Sequence, residues 1–479
     1  MNVRATAAEV GPGDAETERS VAQLVAKARA AQQAFEHAGQ ATLDAAASAA
    51  AWAILEPARN RQLAELAVRD TGLGNVADKV VKNHRKTLGL LRDLHGQKTC
   101  GVIARDSAKG IVEIARAAGV VAAVTPSTNP SATPANKIIN ALKCGNAVIV
   151  APSPKGHSAC AMLLGFVHEQ VTKVGLSTDL VQMLPSPVTK AATAALMRAA
   201  DLVVATGSQA NVRMAYTSGT PAFGVGAGNV ASIVTATASL AEAARRIAAS
   251  KTFDYATSCS SENSVVIEDA VYDAMLAALA EAGGVLLDPS QKERLQQAMW
   301  QDGKLSSRCT AQSAPTIARI AGLDDIAARE PAFLMVEETG FGADHPFSGE
   351  KLSPVLTVYR ACDFDDAAGM VRRIYAYMGA GHSVGLHGSD EAQAVELGLT
   401  LPVARVIVNQ AHCTATGGNF DNGLPFSLSM GCGTWGRNNF SDNLGFRQYL
   451  NITRVAYPID GRVPEVDELL GDFFGSYGR

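Results

Sequence analysis

The sequence has 479 residues and a formal net charge of −4, so it is long enough for two domains and lacks the basic excess that nucleic-acid binding favours. Its hydrophobic fraction of 47% and charged fraction of 18% exclude a disordered or fibrous chain. The eight cysteines show no zinc-ligand or disulfide-framework spacing, so no metal site is expected. We also expect a cytoplasmic protein without a membrane partner, because the N-terminus lacks an apolar signal core and no apolar run approaches about 18 residues.

The first part of the chain is predicted to be helical. Residues 1–15 are expected to form a flexible tail, because Gly11, Pro12 and Gly13 interrupt a helix. Beyond them, apolar residues recur at three- and four-residue spacings, which predicts helices over about 16–35, 42–55, 59–71 and 76–94. The last of these helices carries a basic cluster that we interpret as a solvated face, made of Lys79, Lys82, Arg85 and Lys86.

The period of the apolar residues changes to two between Thr99 and Val124. Two β-branched runs there flank a polar turn at 106–110, which predicts a β-hairpin arm over 99–118 followed by a strand. Two isolated strands are only marginally stable in water, so an arm of this kind agrees with pairing between subunits.

Strands and helices alternate from 119 to 218, which predicts an α/β domain with a parallel sheet. Its first unit is a strand at 119–124, a helix over about 135–142 and a strand at 147–150. Both strands are apolar throughout, as buried parallel strands are. This βαβ unit lacks the GxGxxG fingerprint, so on its own it leaves open whether a nucleotide binds.

Two turns after this unit have the composition of ligand-binding loops. Thr206, Gly207 and Ser208 precede a helix whose free amides favour an anion such as a pyrophosphate, although Ser208 can also be simply the helix N-cap. Glycines at 224, 226 and 228 permit close approach of the backbone, either to a ligand or to a crossing strand.

Cys259 lies in a Ser/Thr-rich turn between a predicted helix at 240–250 and a predicted strand at 264–267. A thiolate on such a loop is the strongest nucleophile among the common side chains. The alternative is that Cys259 only fills space, since free cysteines often behave as small buried hydrophobes.

The C-terminal half contains further candidates. Glu350 precedes a predicted strand, a position where an exposed acid is common. We interpret His382 and His387 as structural histidines. The Gly-rich stretches 414–423 and 431–439 favour loops that line a site.

The cysteine turn resembles a known family. Phe253-Asp254, followed by the string Cys259-Ser260-Ser261-Glu262-Asn263-Ser264-Val265, is similar to the nucleophile region of the aldehyde dehydrogenase superfamily, specifically its CoA-acylating branch. The string Gly-Cys-Gly-Thr-Trp-Gly-Arg-Asn at 431–438 is typical of the same branch. The resemblance extends from about Leu24 to Tyr457.

The resemblance implies an α/β fold with four segments. These are the tail, a Rossmann-like NAD(P)-binding domain at 16–229 interrupted by the arm at 99–118, a catalytic domain at 230–430, and a C-terminal segment at 431–479 that lines the site and returns to the cofactor domain. In this family the arm pairs subunits, so a homodimer or homotetramer is implied.

The resemblance also implies a reaction. The Cys259 thiolate attacks an aldehyde, and the oxyanion is held by the Cys259 amide with a side-chain donor from Thr128 or Asn129. NAD(P)⁺ accepts a hydride, and CoA removes the acyl group from Cys259. Hydrolytic members instead carry a glutamate where this chain has Phe223 or Gly224, so the hydrolytic alternative is disfavoured. A non-catalytic binding protein on the same scaffold is also disfavoured, because the cysteine turn, Glu350 and the Gly-rich turns occur together.

Cofactor contacts follow from the family comparison and from the strand ends. Glu350 matches the glutamate that contacts the nicotinamide ribose. No acidic residue follows the strand at 147–150, where one would hold the adenosine ribose hydroxyls, so NADP is expected to serve at least as well as NAD. The predicted cofactor-binding residues are Thr125, Ser153, Lys155, Thr206, Gly207, Ser208, Gly226, Gly228 and Glu350.

Within the acylating branch the resemblance is closest to enzymes for short anionic aldehydes, namely sulfoacetaldehyde and succinic semialdehyde, and less close to acetaldehyde enzymes. Asn409, His412 and Thr416 follow the predicted strand at 404–408 and can donate hydrogen bonds to an anionic head group. Three donors without a bidentate arginine suit a three-oxygen sulfonate, so sulfoacetaldehyde is the first choice of substrate.

Overall fold

The computed structural model describes residues 12–226 and 228–479, which contain 17 α-helices and 17 β-strands. The helices are α1 (Pro12–Phe35), α2 (Gln40–Leu55), α3 (Pro57–Thr71), α4 (Val76–Leu94), α5 (Ala132–Lys143), α6 (His157–Lys173), α7 (Lys190–Ala199), α8 (Gln209–Tyr216), α9 (Leu240–Thr252), α10 (Tyr272–Glu281), α11 (Pro289–Met299), α12 (Ala314–Ile320), α13 (Asp324–Ala327), α14 (Phe364–Tyr377), α15 (Glu391–Thr400), α16 (His412–Ala415) and α17 (Val466–Tyr477). The strands are β1 (Gly101–Asp106), β2 (Ile111–Ala117), β3 (Val120–Thr125), β4 (Ala147–Pro152), β5 (Val181–Met183), β6 (Leu202–Thr206), β7 (Ala222–Val225), β8 (Val230–Val234), β9 (Glu262–Glu268), β10 (Gly284–Leu286), β11 (Trp300–Gln301), β12 (Lys304–Leu305), β13 (Phe333–Glu337), β14 (Val355–Ala361), β15 (Val384–His387), β16 (Val406–Val408) and β17 (Leu450–Ala456).

The four predicted N-terminal helices are present as α1 to α4, but the first begins earlier than expected. Helix α1 starts at Pro12, so the predicted tail is wrong for residues 12–15, and residues 1–11 lie outside the described part of the chain. Proline is compatible with the first turn of a helix because its missing amide hydrogen would have no partner there. In α2, buried alanines form most of the contact with the rest of the protein.

The cofactor sheet predicted from the βαβ unit is present. It has five parallel strands in the order β5-β4-β3-β6-β7. Every residue of β3 and β4 is buried, which explains their continuous apolar sequence. The strand order reverses direction between β3 and β6, and ligands bind in the crevice beyond the carboxyl ends of strands at such a point.

The second sheet carries the cysteine loop. It has seven parallel strands in the order β10-β13-β14-β9-β8-β15-β16. Strand β7 ends at Val225 and β8 begins at Val230, so the carboxyl end of β7 and the amino end of β8 are close in sequence. The ligand edge of the cofactor sheet therefore faces the amino edge of the second sheet, where the loop containing Cys259 enters β9.

The predicted hairpin arm is confirmed by the antiparallel pair β1 and β2. It is not an isolated two-stranded unit, however, because β17 from near the C-terminus pairs antiparallel with β2 along its whole length. Helix α17 follows and has no buried residue. Of the helices in the described residues, none is both long enough and apolar enough to span a bilayer.

Candidate active site

Cys259 is partly exposed, on the loop that precedes the central strand β9. Its Sγ lies 3.4 Å from Nε2 of His382, and Nδ1 of the same ring lies 2.7 Å from the hydroxyl of Ser383. His382 and Ser383 precede β15, at the same edge of the sheet. The predicted loop position of Cys259 is confirmed. The ring of His382, interpreted from the sequence as structural, contacts the candidate nucleophile across 123 positions of sequence.

The protonation states of this pair follow from their surroundings. Burial, with Glu350 and Cys432 nearby, raises the pKa of the Cys259 thiol to about 12. Burial and the neighbouring Arg405 lower the pKa of His382 to about 3. At neutral pH the pair is therefore a thiol beside a neutral imidazole. When Nδ1–H donates to Ser383, Nε2 is left as an acceptor facing the thiol, so the ring can take the proton as Sγ attacks.

The backbone just before Cys259 has an unusual conformation. Asp254, Tyr255 and Ala256 have φ values of 50°, 51° and 57°, so three consecutive residues other than glycine are left-handed. Such residues cost about 1–2 kcal/mol each, or about 3–6 kcal/mol together. Buried contacts of Asp254 offset this cost, since its carboxylate accepts hydrogen bonds from Lys79, Lys82 and Thr257.

The prediction that the basic cluster of α4 is a solvated face is wrong. Lys79, Lys82 and Lys86 are only 4%, 5% and 6% exposed. Lys79 and Lys82 are paired with the Asp254 carboxylate, while the Lys86 ammonium donates to the Gly417 carbonyl at 2.6 Å. The face is buried because α4 packs between the cysteine turn and the loop around Gly417.

The two candidate oxyanion donors lie beside the same turn. Lys82 Nζ donates to Asn129 Oδ1 at 2.9 Å and to Thr257 Oγ1 at 2.9 Å. This contact fixes the Asn129 oxygen and leaves its amide NH₂ group as the donor. Thr128 is held through its backbone carbonyl, which accepts from Lys79 Nζ at 3.1 Å. Asn129 is therefore the residue with an oriented side-chain donor.

Gly228 lies directly against the cysteine. A Cβ atom at this position would come within 2.6 Å of the Cys259 carbonyl oxygen and 3.0 Å of the His382 ring, so a side chain does not fit. Its amide donates to Oε1 of Glu350 at 3.2 Å. A Cβ at Gly226 would instead meet the side chain of Gln209. At Gly228, the close approach predicted from the glycine spacing is made to the nucleophile's own backbone.

The position that carries a glutamate in hydrolytic relatives offers no base here. The Gly224 amide donates to the Tyr216 hydroxyl, and the same hydroxyl donates to the Gly224 carbonyl, both at 3.1 Å. Glu350 is the carboxyl group whose charge acts on Cys259, and burial raises its pKa to about 8. It is therefore mainly protonated at pH 7 and is a poor base for activating water.

The predicted cofactor residues gather at one edge. Thr125, Ser153 and Thr206 occupy the carboxyl ends of β3, β4 and β6, with exposed Lys155 just beyond β4. The Thr125 hydroxyl is buried and has no hydrogen-bond partner among the described residues, which fits a polar ligand in the crevice.

The turn at Gly207 fits one of the two roles considered for it. Ser208 is the N-cap of α8, because its hydroxyl accepts from the Asn211 backbone amide at 3.3 Å. An anion site at the first amides of the helix stays a prediction.

The three residues predicted to hold the substrate do not lie together. His412 and Thr416 are buried, with His412 Nδ1 2.9 Å from both the Ser260 carbonyl and the Thr416 hydroxyl, so they lie behind the cysteine loop. Asn409 follows β16 at the opposite edge of the sheet, where both of its amide atoms bond to the backbone of Gly388. The structure therefore does not bring Asn409 to the site.

A cleft of about 1220 Å³ opens between the two sheets. It is lined by α8, by the segment around Met378 and by the Gly-rich C-terminal loop, including Gln209, Arg213, Met378, Cys432 and Trp435. Its volume exceeds the range of about 300–1,000 Å³ that is usual for small-molecule sites. The C-terminal loop thus lines this cleft, and its contact with a substrate or cofactor stays a prediction.

Together, the parallel cofactor sheet and the cysteine–histidine pair at the facing edge have the arrangement of an α/β oxidoreductase, with Cys259 as the candidate nucleophile. The chain belongs to the aldehyde dehydrogenase family, whose sequence profile matches residues 3–293. An acylating sulfoacetaldehyde dehydrogenase from Cupriavidus necator is 70% identical over 98% of this chain and 95% of its own length.

Two further relatives agree with the predicted resemblance to the acylating branch. An acetylating succinate-semialdehyde dehydrogenase from Clostridium kluyveri is 34% identical over 95% of this chain and 99% of its own length. The crystal structure of an acetylating aldehyde dehydrogenase from Geobacillus thermoglucosidasius superposes with a TM-score of 0.90 at 33% identity, covering 94% of this chain and 99% of that one.

Proposed function

We propose that this protein oxidises sulfoacetaldehyde to its acyl-CoA, with NAD(P)⁺ as hydride acceptor and CoA as the second substrate. The observation that carries the acylating chemistry is the Cys259–His382 pair in a site with no carboxylate at position 223 or 224. The choice of aldehyde is supported by 70% identity to an enzyme named for sulfoacetaldehyde, against 34% for one named for succinate semialdehyde.

The first step forms a bond between Cys259 Sγ and the aldehyde carbon. His382 Nε2 accepts the thiol proton as this bond forms, so a free thiolate does not accumulate. The carbonyl oxygen becomes an oxyanion. The Cys259 backbone amide and the Asn129 side-chain amide are the donors proposed to stabilise it.

The second step breaks the carbon–hydrogen bond and leaves a thioester on Cys259. When bound, NAD(P)⁺ accepts the hydrogen with its electron pair. Glu350 and the Gly226–Gly228 segment are proposed to hold the nicotinamide half of the cofactor. Thr125, Ser153, Lys155 and the turn at 206–208 are proposed to hold its phosphates and adenosine.

The third step transfers the acyl group from Cys259 to CoA. His382 first releases its proton to solvent and then accepts the proton of the CoA thiol, which attacks the thioester. The Cys259 sulfur leaves and is reprotonated. Water competes poorly because Glu350 is protonated at neutral pH and Gly224 supplies no base. The cleft lined by α8 and Trp435 is the proposed entry for CoA.

An anionic head group is supported by two basic side chains of α4, Arg85 and Lys86, that have no ion-pair partner among the described residues. The Arg85 guanidinium donates to the Thr414 carbonyl and to Asn419, and its Nε is buried without a partner. Burial lowers the pKa of Lys86 well below its usual range. A sulfonate nearby would stabilise the charged form of Lys86, since opposite charges favour ionisation.

We also propose the domain division implied by the family, with a cofactor domain at 16–229, a catalytic domain at 230–430 and a C-terminal segment at 431–479. The three-stranded sheet of β1, β2 and β17 is proposed to pair subunits in a homodimer or homotetramer. It is supported by the exposed side chains along β17.

The test compares kcat/KM for sulfoacetaldehyde, succinic semialdehyde, acetaldehyde and propanal with saturating CoA, and identifies the product by mass spectrometry. We expect sulfoacetaldehyde to be preferred and an acyl-CoA to form. A preference for an uncharged aldehyde would exclude the anionic substrate. A free acid formed without CoA would favour the hydrolytic alternative.

A variant separates the anion contact from general effects on the loop. K86M should lower kcat/KM for sulfoacetaldehyde by about 10- to 100-fold, because a charge-assisted hydrogen bond contributes about 1.5–3 kcal/mol. Its effect on propanal should stay within about threefold. The matched control is R92M, which removes an exposed cation that contacts the same loop through Asn419.

A further inference from the structure

A buried group of four side chains holds the turn in front of Cys259, and we call it the Asp254 cluster: Lys79, Lys82, Asp254 and Thr257. The Asp254 carboxylate is fully buried. Its Oδ2 accepts hydrogen bonds from Lys82 at 2.5 Å, Thr257 at 2.8 Å and Lys79 at 3.0 Å. Its Oδ1 accepts a hydrogen bond from the backbone amide of Asn75 at 2.9 Å. One carboxylate thus binds donors from both the α4 region and the catalytic turn.

The cluster maintains a backbone that would not persist by itself. The left-handed residues Asp254, Tyr255 and Ala256 all carry a Cβ atom, and such conformations survive only where surrounding contacts over-determine them. Asp254 supplies those contacts through its carboxylate and through its own amide, which donates to Asp78 Oδ2 at 2.7 Å. The thiol of Cys259 follows this turn closely in sequence, so its position depends on the turn.

The same cluster orients the oxyanion donor. Lys82 donates to Asp254 and, with another hydrogen of the same ammonium group, to Asn129 Oδ1 at 2.9 Å. A shift of Asp254 would therefore move Lys82 and release Asn129. The positions of the Cys259 thiol and of the Asn129 amide therefore both depend on the Asp254 carboxylate.

The cluster also joins the two halves of the active site. Lys79, Lys82 and Asn129 belong to the part of the chain that carries the cofactor sheet, and Asp254 to the part that carries the second sheet. Among the ion pairs of the described residues, the two made by Asp254 are the ones that connect 12–226 with 228–449.

We propose that Asp254 is a positioning residue, which acts through Lys82 to set the placement of Cys259 relative to Asn129. This inference rests on the proposed role of Cys259 as the nucleophile. By placing Cys259 relative to Asn129, Asp254 allows the carbon–sulfur bond to form while the oxyanion is stabilised.

The first experiment measures D254N against wild type in single turnovers without CoA. The burst rate of NAD(P)H should fall by about 100-fold, the loss expected from a misplacement of about 1 Å, while the Kd for NADP⁺ stays within about twofold. The matched control is E338Q. Its carboxylate is also buried and accepts from Lys292 and two backbone amides, but among the described residues it makes no hydrogen bond or ion pair with Cys259 or Asn129. A D254N burst within about threefold of wild type would overturn the inference.

A double-mutant cycle then separates positioning from a general structural role. If Asp254 acts through Lys82 and Asn129, the loss in D254N/N129A should be close to the larger of the two single losses. Losses that multiply would show that Asp254 does not act through Asn129.

If D254N is unstable, the variant K82M/D254N distinguishes a loss of stability from a loss of positioning. It removes one ammonium together with the carboxylate, so the net charge of the Asp254 cluster returns to its wild-type value, and stability should recover relative to D254N. The burst should remain slow. A burst that recovers together with Tm would assign Asp254 to stability alone. Absence of a burst in wild type would instead refute the proposed function.

Discussion

The substitution His382→Ala gives the most direct test of the proposed chemistry. With a pKa of about 12, only about one Cys259 in 100,000 is a thiolate at pH 7. Wild type avoids this limit because His382 takes the proton during attack. Its pKa of about 3 keeps the ring neutral at every pH above about 4, so the wild-type acylation rate should be nearly constant from pH 6 to pH 9.

Without the imidazole, the reaction depends on thiolate that has already formed. H382A should acylate about 100-fold more slowly at pH 7, the low end of the usual contribution of a general base, because an imidazole with a pKa of about 3 is a weak base. Its rate should then rise about tenfold per pH unit, because the thiolate fraction does so below the pKa. The gap between H382A and wild type should therefore narrow by about tenfold per pH unit from pH 7 to pH 9.

The assay is stopped-flow detection of NAD(P)H in a single turnover without CoA, which isolates acylation from thioester transfer. H387A is the matched control, since His387 is equally buried and also has a pKa lowered to about 3, but makes no hydrogen bond to Cys259. Parallel pH profiles for H382A and wild type would refute the base assignment. An H387A profile that matches H382A would refute it as well.

Four further outcomes are expected. Cys259→Ala and Cys259→Ser should abolish acylation with little change in Tm, because the thiol is partly exposed on a loop; residual CoA-dependent oxidation in Cys259→Ala would contradict the nucleophile assignment. Without CoA, wild type should form about one NAD(P)H per subunit and then stop, whereas sustained turnover would point to hydrolysis. Alkylation of Cys259 by iodoacetamide should accelerate about tenfold per pH unit from pH 7 to pH 10, and a plateau below pH 9 would contradict the raised pKa. Lys155→Ala should reduce kcat/KM for NADP⁺ more than for NAD⁺, and equal losses would count against a contact with the 2′-phosphate.

The parts of the fold that sequence reasoning predicted are those with local signals. Strands β3 and β4 are apolar throughout because both of their faces are buried, and this pattern is visible without any partner. The hairpin of β1 and β2 could be recognised from its polar turn. The third strand of that sheet could not, because β17 is more than 300 positions away, as the 341-residue separation of Glu113 and Arg454 shows.

The missed site residues were missed for a related reason. The partner that buries Lys82 lies 172 positions away, and the spacing of the α4 lysines is the same on a buried face as on an exposed one. One signal was present: Lys86 is in phase with Leu90 and Leu94, which are buried, whereas Val81 and Leu88 are exposed. This helical periodicity indicates that the lysines lie on the buried face of α4.

Asn409 shows the opposite error, in which closeness in sequence suggested closeness in space. Asn409 is three residues from His412 in the sequence. It lies after the carboxyl end of the short strand β16, beside Gly388, whereas His412 in α16 contacts the Ser260 carbonyl at the opposite end of the sheet. Which end of the sheet a residue reaches depends on the direction of its strand. It can therefore be read from the sheet topology, but not from the spacing of residues in the sequence.

The electrostatics of the site suit transfer to a thiol better than transfer to water. Moving an acyl group from Cys259 to CoA exchanges one thioester for another, so it needs positioning and proton transfer but little additional driving force. Hydrolysis of the same thioester is strongly downhill, and the site lacks an ionised carboxylate to activate water at neutral pH. A glycine at 224 and a Glu350 that stays protonated up to about pH 8 both remove that base. Because the Glu350 carboxyl ionises above that pH, loss of acyl-CoA to free acid should increase in alkaline solution, and it should do so less in Glu350→Gln.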